Sequence, residues 1–118
     1  MMTSALRAVF LSVEQLEGLS AILLEATTAE VIDPSGLAAA SALRGALNEL
    51  AHVTRQSGRT RGIAILLPAE YIGIASAAVK HVISTLLPFE MPMRVHLDTA
   101  GLESLAAALA SGNENQGS

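Results

Sequence analysis

A small α/β domain is the fold class this sequence predicts: a three-stranded sheet, parallel or mixed, with four helices in the order β-α-α-β-α-β-α. Three observations carry that reading. Ile63–Leu67 is apolar at every position, as a central strand buried on both faces would be. Behind it, Pro68 opens a helix whose apolar residues run nearly all the way round to Leu87. Met93-Arg94-Val95-His96-Leu97 alternates, as a strand with one wet face does. Strands that alternate with helices favour parallel pairing through right-handed crossovers.

Taken in order, Ala5–Leu11 reads as the first strand, with Val9 and Leu11 on one face and Ala8 and Phe10 on the other. Ser12, followed three residues later by Gln15, forms a capping-box pattern. The helix it starts extends to about Ala26 and buries Leu16, Leu19, Ile22 and Leu23, with Glu14, Glu17 and Glu25 toward water. Asp33-Pro34 starts a second helix, with the aspartate as cap, that runs to about Arg55. Gln56–Arg61 is a polar turn and Leu87–Pro92 a proline-containing loop. Asp98 caps a last helix, Thr99–Ala110, so residues 1–110 form one domain and 111–118 a polar disordered tail. Val9, Ile65 and Val95 align in a faint repeat that also matches Leu23, Val79 and Leu109. A strand running into a capped helix is generic enough to account for it.

Hydrophobic residues make up 51% of the chain and aromatics 3%, so the core is expected to be Ala, Leu, Ile and Val. The net charge of −4 argues against broad nucleic-acid binding, which needs a basic field. There is no cysteine, which excludes disulfides and thiolate chemistry. Gly62–Phe89 is long enough to cross a bilayer, but Pro68, Glu70, Lys80 and His81 interrupt it. One charge at mid-bilayer costs roughly 2.5–3.5 kcal/mol, so no membrane partner is expected. No signal-peptide pattern starts the chain, and a cytoplasmic location is the expectation. A single lysine among much arginine and alanine is a composition associated with GC-rich genomes, actinobacterial or phage.

The candidate sites are few. On the helix after Pro68, Tyr71, Ile74, Ala78 and His81 mark the face expected to meet a second copy of the chain. Arg55, Arg59 and Arg61 form the one basic segment and could hold a phosphate or an acidic partner. In a parallel sheet, strand ends and helix starts meet along one rim, here carrying Ser12, Glu14, Glu70, Tyr71, His96, Asp98 and Thr99. His96 and Asp98 there could act as a base and its orienter, or as a solvated residue and a cap. No nucleophile, metal set or glycine-rich phosphate loop accompanies them, so neither catalysis nor a cofactor is expected.

Val31-Ile32-Asp33-Pro34-Ser35-Gly36-Leu37 resembles the Asp-Ser-Ser-Gly-Leu turn of STAS domains, the anti-sigma-factor-antagonist fold, with Pro34 standing at a serine position. The strand-helix-strand-helix order that follows is similar to the C-terminal half of that fold. The resemblance implies a switch in which a partner kinase phosphorylates Ser35. A strand and two helices with Arg7 on the strand also resemble ribbon-helix-helix repressors, which would make Arg7 the base reader. The reading that needs least beyond the residues is a homo-oligomeric protein-interaction module, accessory or regulatory and without catalysis. Its partners would be itself and another protein. The alternatives are the STAS-like phospho-switch and a nucleic-acid or phosphate binder through 55–61.

Overall fold

Among the described residues two strands form where three were expected, and they run antiparallel. The computed structural model describes residues 6–58 and 63–114, with side-chain surroundings through residue 110. In chain order the elements are β1 (Leu6–Leu11), α1 (Val13–Thr28), a 3-10 turn (Pro34–Gly36) leading into α2 (Leu37–Gln56), β2 (Ile63–Pro68), α3 (Ala69–Thr85), α4 (Met91–Val95) and α5 (Thr99–Glu114). The fold is mostly helical, with a two-stranded sheet, which corrects the three-stranded parallel or mixed sheet.

The cap signals at Ser12 and Asp98 work as chemistry requires, whereas Asp33, expected to cap the second helix, makes no capping bond, and α2 begins at Leu37 after the 3-10 turn. Ser12 Oγ accepts the Gln15 N–H at 3.1 Å, and Gln15 Oε1 accepts the Ser12 N–H at 2.9 Å, closing the capping box. α1 ends in a Schellman turn: the Glu30 N–H donates to Thr27 O and the Val31 N–H to Ala26 O. That turn requires a left-handed residue, and Glu30 supplies it at φ 62°. Asp98 Oδ1 accepts the Gly101 N–H at 2.8 Å and caps α5. α5 continues to Glu114, four residues into the stretch expected as tail (111–114), while 115–118 lie outside the described residues.

In the β1–β2 ladder, Val9 faces Ile65, Ala8 faces Leu66 and Leu6 faces Pro68. Val9, Leu11, Ile65 and Leu67 point inward and are buried. Ala8, Phe10, Ala64 and Leu66 point out and are exposed. β2 is therefore not a central strand covered on both sides. An unbroken apolar run cannot distinguish double burial from one buried face and one bare apolar face. Val9 and Ile65, equivalent in the faint repeat, are cross-strand partners, so a local two-fold through this pair relates the strands.

The expected third strand is a helix. Pro92 fits the first turn of α4, and Met91 and Val95 are buried one turn apart. His96 then ends the helix at φ 63°. A helix end followed by a left-handed turn buries Val95 and Leu97 and exposes His96, which mimics a strand's alternation. The core is aliphatic, as composition requires. Leu11, Leu16, Leu19, Ile22, Leu23 and Leu102 are fully enclosed, while both phenylalanines, Phe10 and Phe89, are exposed.

α3 is covered by its own chain. It packs against α1, α2 and α5, and Ile72, Ala75, Ala78, Val79 and Val82 are buried. What is fully exposed on α3 is small or polar, Glu70, Gly73, Ala77, Lys80, Ser84 and Thr85, while Tyr71, Ile74 and Ile83 are half-buried. The surplus of apolar surface predicted for this helix lies on the ribbon instead. Among the described residues, no helix is long and apolar enough to cross a membrane.

Candidate functional site

The sheet has an apolar solvent side. Leu6, Phe10 and Leu66 are 58%, 62% and 65% exposed, with Ala8 and Ala64 between them. The ladder sets Phe10 opposite Ala64 and Leu66 opposite Ala8, so large and small residues alternate across this face, and among the described residues of the two strands no charge interrupts it. Among the described residues, a two-stranded sheet also leaves one edge of each strand without a β partner. A second apolar exposure lies at the turn from α3 into α4, where Phe89 is 70% and Met93 77% exposed.

The residues singled out from the sequence fall as follows. Of the expected interface on α3, Ala78 is enclosed in the core, and Tyr71, Ile74 and His81 are half-buried. Tyr71 and Ile74 pack against that core. Arg55 is taken by Glu17: its Nε donates to Oε2 at 2.8 Å and its Nη2 to Oε1 at 2.7 Å. The Arg55 hydrogen bonds hold the Glu17 carboxyl below its ordinary value, partial burial opposes this, and the charges of Arg55 and His96 add to the lowering. Arg59 and Arg61 lie outside the described residues. Arg94 holds Glu25 in the same two-pronged way, at 3.1 and 2.8 Å, and ties α4 to α1.

The antiparallel ladder dissolves the expected rim. Leu11 pairs with Ile63 and Leu6 with Pro68, so Ser12 and Glu70 stand at opposite ends of the ribbon. His96 and Asp98 are exposed on the turn between α4 and α5, and Asp98 serves as a cap. Among the described residues, no group of three or more His, Asp and Glu is placed to hold a metal.

Ser35 is exposed in the 3-10 turn. The segment before that turn is α1 and its Schellman ending, not the strand the STAS fold would require, and the sheet is of the wrong kind for that fold. Ser35 and Ile74, singled out for unrelated reasons, line one groove of about 510 Å³ between this turn and α3. Asp33 and Glu70 stand on its two walls. Sequence reasoning missed both the groove and the bare ribbon face. The groove joins segments distant in the chain, whereas the ribbon face was legible only as an apolar run.

No protein-family model matches the chain, and neither a curated protein nor a solved structure matches it.

Proposed function

We propose that this chain is a non-catalytic protein-interaction module that works as an assembly of copies of itself. One observation carries the reading: the uncharged outer face of the β1–β2 ribbon, centred on Phe10 and Leu66. A ribbon of two strands is marginal by itself and gains from further strands or a covering layer. A second copy offers the same face and the same free edges, which is what a two-fold interface uses. The ribbon is only about 20 Å long. A stable contact of about 800 Å² per partner therefore also recruits side chains beside it.

The test is solution mass by light scattering across a concentration series. The wild-type chain is expected at a multiple of 12.2 kDa, and Leu66→Lys and Phe10→Lys at 12.2 kDa with unchanged circular dichroism. A wild-type chain that stays at the mass of one copy at every concentration defeats the reading.

A further inference from the structure

We infer that the groove between the 33–39 segment and α3 is a docking site for an apolar helical segment of a partner protein that carries a basic side chain. The inference deepens the interaction-module reading and rests on it. The groove floor is apolar. Ile32 and Ile74 converge over Gly36, so that a methyl added there would lie 3.2 Å from Ile32 Cγ2 and 3.6 Å from Ile74 Cδ1. Along α3 the groove is lined by Glu70, Gly73, Ile74 and Ala77, the i, i+3, i+4, i+7 stripe of one helix face. That stripe spans about 10 Å, two turns, which suits a helix laid alongside. Nothing lies within 4 Å of a methyl built on Gly73, so the floor is open to close approach at that point.

Charge selects the occupant. The groove carries a carboxylate on each wall, Asp33 and Glu70, and no basic residue. Asp33 stands at the cap position of the 3-10 turn, yet its side chain makes no capping bond. Glu17, Glu25 and Asp98 each have a partner within the chain. Among the described residues, Asp33 and Glu70 have no ion-pair partner, like Glu14, Glu30, Glu49 and Glu103; what sets them apart is that both line the groove. A lysine or arginine beside an apolar patch complements either wall. Arg55 and Arg94 are held by glutamates, but Lys80, exposed on α3, is not, so a second copy is the rival occupant: Gly73 and Ala77 amides that shift with the chain's own concentration rather than with added peptide overturn the inference.

The probe is a fluorescein-labelled helical peptide of Leu, Ala and Lys, with a counterpart carrying Glu for Lys. Binding is read by anisotropy, and the site by amide shifts of the full chain. The Lys peptide is expected to bind and to shift the Gly73 and Ala77 amides, and the Glu peptide is not. Asp33→Asn with Glu70→Gln should weaken binding by roughly three- to tenfold, the worth of two exposed ion pairs. Glu49→Gln with Glu103→Gln removes the same charge from exposed positions outside the groove and should change nothing. An equal loss in this control pair, shifts confined to other surfaces, or no binding overturns the inference. Solution mass reports the assembly separately, so the two can fail independently.

Discussion

Arg55, near the end of α2, grips Glu17 in the second turn of α1 with two parallel hydrogen bonds of 2.8 and 2.7 Å. Both side chains are substantially exposed, so the pair is screened and its contribution is small. Its pH dependence has a definite sign. The folded-state carboxyl lies below its ordinary value of 4.5, so its stabilising effect is complete above that pH. The effect is lost as pH falls through the depressed value. Arg55→Met is expected to melt slightly lower than wild type at neutral pH and to match it in strong acid. Thermal melts across pH check this, and a gap that widens toward acid contradicts it.

Gly18 lies under Leu97. A methyl added there would sit 2.5 Å from Leu97 Cδ1, 2.7 Å from its Cγ and 3.2 Å from the Val95 carbonyl oxygen. Alanine would ordinarily favour a helix by up to ~1 kcal/mol, but overpacking costs about 1–3 kcal/mol. Gly18→Ala should therefore lose about 0–2 kcal/mol on balance, against the gain expected at an open helical glycine. Gly45→Ala, in α2 with nothing within 4 Å, is the matched control. It should gain about 0.5–1 kcal/mol in urea unfolding.

Glu30 occupies the left-handed position of the Schellman turn that closes α1, at φ 62°. Glycine is the residue that takes this conformation freely. Glu30→Gly is expected to stabilise the fold by about 0.5–1 kcal/mol, and Glu30→Val to destabilise it by at least as much. Chemical denaturation of the three chains measures both signs.

Leu66 and Leu19 separate association from folding. Leu19 is fully enclosed, and Leu19→Ala should cost about 2–5 kcal/mol. Leu66 is 65% exposed, so Leu66→Lys should leave the melting of a dilute, single-copy sample nearly unchanged. Its effect should fall on the concentration dependence of melting, which assembly imposes on the wild type.

Legibility tracked how local each cause was. Ser12, Gln15 and the Leu16–Leu23 stripe specify α1 within a few residues, and it formed as read. Asp98 acts within one turn and did the same. Strand pairing is not local: nothing near Val9 says whether Ile65 will run with it or against it. Met93–Leu97 alternates over too few residues to distinguish a strand from a helix end and a left-handed turn at His96. The apolar fullness of α3 was visible, but which neighbours would cover it depended on α1, α2 and α5. Asp33 and Glu70 come together in one groove only because residues 31–39 fold against α3.

The ladder joining Val9 to Ile65 spans both intervening helices. On a ribosome, the first strand therefore emerges long before its mate and waits with Val9 and Leu11 uncovered. α1 and α2, whose contacts are nearer in sequence, can collapse on each other in that interval. Closure of the ribbon is then the step expected last in maturation. Meanwhile the waiting strand is the segment of the nascent chain most open to capture by a chaperone or by a neighbouring polypeptide on the same message.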